Sequence, residues 1–185
     1  MLCWLDRLNS ANSGLSQLHS EPMQSFEEAV SNMMTAPWNY PGLVERHPDD
    51  FLISFSCNHS LKSWVSWTIF LSDMKFFVRH IQWVRRMDRI ELAGHTPSTF
   101  GSESALRKPH AEAIVDTGHS LFGQEGQRSS CGLRIDGVYC SVFLPHMAAP
   151  FSWIVNGPDT DRFDHWLGQV SSVANQYLPP IRELP

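Results

Sequence analysis

The last third of the chain most constrains its fold, because several strong secondary-structure signals follow one another there. Residues 133–135 alternate apolar and polar side chains up to the dipeptide Asp136-Gly137, the strongest short-range signal for a β-hairpin. Residues 138–144 then place Val, Cys, Val and Leu at alternate positions, as expected of a return strand. We therefore expect a hairpin that turns at residues 136–137.

A third strand and an amphipathic helix follow the predicted hairpin. Residues 151–155 place Phe, Trp and Val at alternate positions, and the Asn-Gly-Pro run at 156–158 ends that strand. Thr160 can cap a helix that ends before the two prolines at 179–180. Apolar side chains recur on one face of this helix at Phe163, Trp166, Leu167, Val170, Val173, Ala174 and Tyr177.

Three earlier segments also carry clear signals. Pro22 suits the first turn of a helix, and Pro37 ends the helical pattern that follows it. Residues 51–57 predict a strand, because apolar and polar side chains alternate cleanly from Ile53 onward. Residues 64–71 are apolar on both faces apart from two positions, which predicts a second strand in the middle of its sheet.

Residues 73–90 fit two structures, and we favour a helix. Polar side chains recur there at steps of four, three, four and three residues, which would place them in one stripe along a helix. They belong to Lys75, Arg79, Gln82, Arg86 and Arg89. The alternative is a third antiparallel strand over residues 75–84, because aromatic and β-branched residues are frequent there. Downstream, we expect a loop over residues 94–101, a helical turn over 102–107, a helix over 109–116 and an exposed loop over 118–130.

This order of elements predicts one α+β domain over residues 1–185, built on a single antiparallel β-sheet with helices packed against it. Residues 1–20 could be a loosely ordered N-terminal segment. Hydrophobic residues make up 42% of the chain and charged residues 18%, a balance that excludes a disordered protein. The start lacks the basic region of a signal peptide, and no uncharged run approaches the ~20 residues of a membrane span. We therefore expect a cytoplasmic protein without membrane contact.

The charge and the cysteines exclude several kinds of partner. A net charge of -5 repels phosphate backbones, so we do not expect nucleic-acid binding. The four cysteines (Cys3, Cys57, Cys131 and Cys140) match neither a zinc ribbon nor a compact disulfide framework, and we interpret them as small buried hydrophobes. The sequence contains no cofactor-binding motif, so no cofactor is expected.

If the protein is an enzyme, the sequence best fits a serine hydrolase. Residues 118–123 (Gly-His-Ser-Leu-Phe-Gly) resemble the nucleophile elbow of the α/β-hydrolases, with Ser120 as nucleophile and with Asp159 and His165 following in the order of the acid and the base. The elbow needs small residues on both sides of its serine, whereas Phe122 stands where the second glycine belongs. A glycine-rich loop explains the string better, so we favour a non-catalytic protein.

A zinc site is the second alternative. His110-Ala111-Glu112 resembles the first half of the zinc deaminase signature, whose second half supplies two thiolates three residues apart. Cys131 and Cys140 are nine residues apart and are separated by a predicted turn, so a site of His110, Cys131 and Cys140 is disfavoured. The nine histidines are spread along the chain without a pair at helical spacing, and we expect most of them in loops or at the surface.

One concentration of basic residues is a candidate for contact with a protein partner. It consists of Lys75, Arg79, Arg86 and Arg89, the cationic part of the polar stripe described above. A solvated helix face would explain the same pattern.

The last quarter of the chain carries a family resemblance. The run Gly132–Val138, an aromatic strand, residues 156–159 (Asn-Gly-Pro-Asp) and a terminal helix that starts near Phe163 and Trp166 together resemble the small immunity proteins of bacterial polymorphic-toxin systems. These motifs are structural rather than chemical. The resemblance implies a cytoplasmic protein that neutralises a cognate toxin by covering its active site, and an acidic surface would speed its encounter with a basic toxin.

The order of elements allows a second kind of binding protein. A helix, strands, a helix, strands and a final helix is also similar to the order in secretion-type chaperones. That resemblance implies a different partner, namely an unfolded effector segment instead of a folded toxin.

Overall fold

A computed structural model describes residues 26–59, 62–88, 96–123 and 137–179. Within these residues it contains one six-stranded sheet, three α-helices and three short 3₁₀ turns. In chain order the elements are α1 (26–35), a 3₁₀ turn (Pro37–Asn39), a second 3₁₀ turn (Pro48–Asp50), β1 (Phe51–His59), β2 (Ser63–Ser72), β3 (Lys75–Val84), a third 3₁₀ turn (Arg85–Asp88), β4 (Thr99–Leu106), α2 (Lys108–Phe122), β5 (Val138–Phe143), β6 (Phe151–Ile154) and α3 (Asp161–Asn175).

The strands lie in the order β4-β3-β2-β1-β5-β6, and every neighbouring pair is antiparallel. The first four strands form a meander, and after α2 the chain returns to pair β5 with the free edge of β1. Asp73 and Met74 join β2 to β3 with φ angles of 50° and 62°, as in the two-residue turns that match the twist of a hairpin. The predicted α+β class, with one antiparallel sheet, is confirmed.

Helices α2 and α3 cover one face of the sheet. Phe55 on β1 meets Trp166 of α3 edge to face at 5.5 Å, and Trp67 on β2 donates from Nε1 to Oδ1 of Asn175 at 2.9 Å. Gly118 brings α2 close to β1, because a Cβ there would lie 2.4 Å from Cδ1 of Ile53. The larger hydrophobic core lies between these helices and the sheet.

Helix α1 and the segment after it cover part of the opposite face. Val30 and Met34 of α1 form a second core with Ile81 and Trp83 of β3. Tyr40 then packs its ring on the edge strand β4, where its hydroxyl donates to Oγ1 of Thr99 at 3.0 Å. The sheet is therefore the middle layer between two helical layers.

The helix that we favoured over residues 73–90 is wrong, and the alternative strand over residues 75–84 is correct. The spacing of the polar residues indicated a solvated helix face, but Arg79 is 1% exposed and Gln82 is 3% exposed. The strand pairs with β2 on one side and with β4 on the other. Arg79 and Gln82 are therefore buried in the middle of the sheet, whereas Lys75 at the start of the strand is exposed.

Two further boundaries differ from the prediction. Residues 99–106 pair with β3 as β4, so the loop expected to 101 ends earlier and the helical turn expected over 102–107 is wrong. Pairing along the free edge of β3 outweighs the weak local propensity of this segment. The helix expected over 109–116 is confirmed as α2, but it runs to Phe122, where a loop was expected.

The third strand and the terminal helix predicted for the last third are confirmed as β6 and α3, but the predicted hairpin is not confirmed. The first strand of the predicted hairpin, residues 133–135, and Asp136 lie outside the described residues. The return strand is β5, which pairs with β1 on one edge and β6 on the other. Thr160 immediately precedes α3 as predicted, but its hydroxyl donates to the carbonyl of Gly157 at 3.0 Å and caps no helix N–H.

In the part of the chain that the structure describes, no helix is long and apolar enough to cross a bilayer.

Candidate binding groove

A groove lies on the α1 side of the sheet, over β1, β5 and β6. It encloses about 510 Å³, within the roughly 300–1,000 Å³ of typical ligand sites. Strands of the sheet form its floor, and its rim comes from the end of α1 with residues 36–38 and from the connection between β5 and β6.

Four serines form a row across the sheet beneath and beside the groove. Antiparallel pairing places Ser66 opposite Ser56, Ser56 opposite Ser141, and Ser141 opposite Ser152. The row therefore crosses β2, β1, β5 and β6 in register, and the last three of its serines line the groove. Neighbouring strands lie about 4.8 Å apart, so the row offers hydroxyls at regular intervals.

The hydroxyls of the floor bind mainly to one another. Ser56 Oγ lies 2.9 Å from Ser141 Oγ, and Ser54 Oγ lies 3.1 Å from Oγ1 of Thr68. Ser66 Oγ is buried and has no hydrogen-bond partner among the described residues. Because a hydroxyl can both donate and accept a hydrogen bond, the floor can offer a ligand either donors or acceptors.

The remaining lining of the groove is apolar or aromatic apart from Thr35. Phe51 and Phe143 stack with their ring centroids 5.6 Å apart. The other residues that line the groove are Met34, Thr35, Pro37, Trp38, Phe55, Trp64, Ala148 and Pro150. None of the described residues that line the groove has an ionisable side chain.

A buried ion cluster holds one side of the groove in place. Arg79 on β3 donates from Nε to Glu103 Oε2 at 2.9 Å, and Arg46 donates to the same oxygen at 2.8 Å. Arg79 also donates to the backbone carbonyls of Pro37 and Val44. Since Pro37 lines the groove, the cluster anchors the segment that forms this side.

The charges in this cluster stabilise one another. Burial alone would raise the pKa of Glu103, but the hydrogen bonds and charges of Arg46 and Arg79 outweigh it and lower that pKa. Burial lowers the pKa of Arg79, although Glu103 opposes the change. The side chains of Arg79, Arg46 and Glu103 are 0%, 7% and 12% exposed, so both guanidinium groups depend on Glu103 for their counter-charge.

The structure does not bring the predicted basic stripe together as one exposed surface. Lys75 is exposed at the start of β3, and Arg86 is exposed in the 3₁₀ turn after that strand. Arg79 is buried in the ion cluster, and Arg89 lies outside the described residues. Arg79 therefore has a structural role in the ion cluster and is not available to a protein partner.

Ser120 lies in the last turns of α2 and not in a strand-to-helix turn. The sharp turn that exposes a nucleophile in the hydrolases is therefore not formed around it. Asp159 lies in the turn before α3 with a φ of 60°, and His165 is exposed on α3. No hydrogen bond links these three side chains in the described structure.

The predicted zinc ligands do not assemble among the described residues. His110 Nδ1 lies 2.7 Å from the hydroxyl of Tyr177, and Cys131 lies outside the described residues. Cys140 lies instead opposite Cys57, on β5 and β1. The described residues contain no group of three or more His, Cys, Asp and Glu side chains that could hold a metal.

His80 is a buried residue that the sequence did not single out. It is 5% exposed, its Nε2 has no partner among the described residues, and its ring centroid lies 5.8 Å from that of Trp67. Burial lowers the pKa of His80 to about 4. Together with Gln82 and Ser102 it borders a second cavity of about 350 Å³ beside β4.

The serine row could have been suspected from part of the sequence. Ser54 and Ser56 alternate with the apolar residues of β1, and Ser66 and Thr68 are the two polar positions inside β2, away from its ends. The sequence does not give the register between β1 and β5, which alone places Ser141 beside Ser56.

No family model, no curated protein and no solved structure matches this chain in the comparisons with known proteins.

Proposed function

We propose that this chain is a non-catalytic protein-binding domain and that its groove receives a segment of the partner protein. The observation that carries the proposal is the lining of the groove, whose described residues combine a hydroxyl floor with aromatic sides and include no ionisable group. Such a lining can bind and orient a ligand, but it holds no group that could activate a serine hydroxyl.

The lining also suits a peptide segment. Backbone N–H and C=O groups need hydrogen-bond partners when they leave water, and the hydroxyls of Ser56, Ser141 and Ser152 can serve as either donors or acceptors. Trp38 and the stacked rings of Phe51 and Phe143 offer apolar area to side chains of the segment. An uncharged segment fits best, because the described lining residues offer no counter-charge to a charged one.

We further propose that the partner is a bacterial toxin, which the chain neutralises by direct binding. Two features of the sequence support this step: the resemblance of the last quarter of the chain to immunity proteins, and the net charge of -5. An acidic protein attracts a basic partner over a distance of about 8–10 Å at physiological salt and so raises the rate of association.

The test compares two tryptophan variants. Ser152→Trp places a large ring in the groove at the edge strand β6, whereas Ser172→Trp places the same ring at an exposed position of α3. We expect the wild-type chain and Ser172→Trp to bind a partner from the source cell stoichiometrically, and Ser152→Trp to lose at least tenfold in affinity. Thermal unfolding shows whether both variants are folded.

The toxin step is tested with the captured partner. Its expression alone should arrest growth of a host cell, and co-expression of the chain should restore growth, whereas Ser152→Trp should not. Equal binding by both variants would contradict the role of the groove, and a harmless partner would contradict the toxin step.

A secretion chaperone is the second candidate, because a row of serine hydroxyls can form hydrogen bonds with the backbone of an extended segment. It differs from an immunity protein in the state of the partner. Binding to an isolated, unfolded segment but not to the folded partner would favour the chaperone. Stoichiometric fluorophosphonate labelling that is lost in Ser120→Ala would instead contradict any purely binding function.

A further inference from the structure

Cys57 and Cys140 face each other across the joint between β1 and β5. They are directly paired residues in the antiparallel register, so their side chains point to the same face of the sheet. The two thiols lie within hydrogen-bonding contact, and neither forms a disulfide in this structure. Their position was not apparent from the sequence, where 82 residues separate them.

The backbone geometry of this pair suits a disulfide. Directly opposed residues of antiparallel strands have Cα atoms about 4.5 or 5.5 Å apart, depending on the hydrogen-bonding site. Bridged cysteines have Cα separations of roughly 4.4–6.8 Å. Both kinds of site fall inside this range, so a bond needs adjustment of side-chain torsions and no change of register.

The two thiols differ in exposure, and this difference determines which of them reacts first with a reagent from solution. Cys57 is partly exposed, whereas Cys140 is fully buried. A small reagent therefore meets Cys57 first. The contact with Cys57, together with burial, raises the pKa of the Cys140 thiol, so Cys140 is a weak nucleophile until Cys57 has reacted.

We propose that Cys57 and Cys140 form a reversible disulfide by exchange with a low-molecular-weight disulfide such as oxidised glutathione. The thiolate of Cys57 attacks one sulfur of the reagent, which forms a mixed disulfide and releases one glutathione thiolate. Cys140 then attacks the Cys57 sulfur and passes its proton to the departing glutathione sulfur, which leaves as the second glutathione thiol. One S–S bond forms in the protein as one breaks in the oxidant, and two glutathione thiols result.

The bond would lie beneath the candidate groove. Ser56 and Ser141, which form the central hydrogen bond of the floor, are the chain neighbours of Cys57 and Cys140. A covalent bond between the two strands would therefore fix the separation of these serines. It would also join the four-strand meander to the β5–β6 pair, so the redox state would set the rigidity of the floor. The disulfide itself does not depend on the proposed function.

The experiment uses the full chain with Cys3→Ser and Cys131→Ser, which leaves Cys57 and Cys140 as the two thiols. The folded protein is incubated with oxidised glutathione at pH 8, quenched with acid, alkylated and weighed by mass spectrometry. We expect a product about 2 Da lighter than the reduced chain, without a glutathione adduct, in which a linked peptide pair joins the two cysteines. Dithiothreitol should reverse it.

Two comparisons make the result decisive. Adding Cys140→Ala to this background should convert the product to a single glutathione adduct on Cys57, because the resolving thiol is gone. The bridged form should melt on the order of 10 °C higher than the reduced form, since the bond closes a long loop. Two separate adducts, no reaction of the folded chain, or a bridge that forms only in urea would each overturn the proposal.

Discussion

His80 shows how one buried side chain can make stability depend on pH. It lies on β3 with its Nε2 enclosed and without a partner among the described residues. Burial lowers its pKa from the ordinary 6.5 to about 4. The sequence suggested that most histidines lie in loops or at the surface, and it gave no sign that this one is enclosed, because its burial depends on the strands that flank β3.

The His80 pKa predicts a loss of stability in mild acid. Between pH 6.5 and about 4 the unfolded chain binds a proton at this histidine and the folded chain does not, so stability falls as the pH falls through that window. The shift corresponds to about 3 kcal/mol. His80→Gln should remove most of this fall when urea unfolding is compared at pH 7 and pH 4.

The matched control for His80→Gln is His165→Gln, which changes an exposed histidine on α3. This variant should retain the wild-type dependence on pH. If His80→Gln loses as much stability between pH 7 and pH 4 as the wild-type protein does, His80 is not the source of the dependence.

At the scale of elements, β3 shows why polar spacing misled the prediction. Polar residues at helical spacing normally mark a solvated face, and the spacing of Lys75, Arg79 and Gln82 fits one. In the structure the guanidinium of Arg79 is satisfied by Glu103 and by backbone carbonyls far along the chain. A sequence pattern reports polarity, but it cannot show whether a buried partner exists.

Two helical glycines give a prediction about packing between elements. A Cβ at Gly168 of α3 would meet no atom within 4 Å, so Gly168→Ala should raise stability by about 1 kcal/mol through helix propensity. A Cβ at Gly118 of α2 would lie 2.4 Å from Cδ1 of Ile53, a fully buried side chain. Gly118→Ala should therefore be less stable than Gly168→Ala by at least about 1 kcal/mol.

Chemical denaturation of both glycine variants checks this difference. Adding Ile53→Val to Gly118→Ala should recover part of the loss, because it removes the methyl group that the new Cβ would meet. Equal stabilisation by the two alanine substitutions would mean that α2 can move away from β1 without cost.

At the scale of the whole molecule, the sequence predicted the class of fold but not the groove. Alternation along β1 and the apolar character of β2 follow from local patterns, and both strands were predicted. The groove depends on two long-range facts, the register that places Ser141 opposite Ser56 and the position of α1 with Trp38 on the same face. Local propensity predicts neither of them, because both depend on contacts between distant parts of the chain. The two serines, for example, are separated by 84 residues.

The ion cluster of Arg79, Glu103 and Arg46 joins the α1 layer to the sheet, so its loss should affect the whole molecule. Glu103→Gln keeps the shape of the side chain but leaves two buried guanidinium groups without a counter-charge. Removing one partner of a buried ion pair costs about 3–5 kcal/mol. We expect Glu103→Gln to lose that much in urea unfolding at pH 7 and to bind the groove partner more weakly, because Pro37 and Trp38 lose their anchor.

The control for Glu103→Gln is the same substitution in a surface pair. Glu112 lies 3.6 Å from Lys108 on α2, and both side chains are about half exposed or more. Exposed pairs at this spacing contribute about 0.3–0.5 kcal/mol, so Glu112→Gln should leave stability and partner binding nearly unchanged. If the two substitutions cost the same, the cluster does not hold the layers together, and the groove must owe its shape to the apolar contacts of α1 alone.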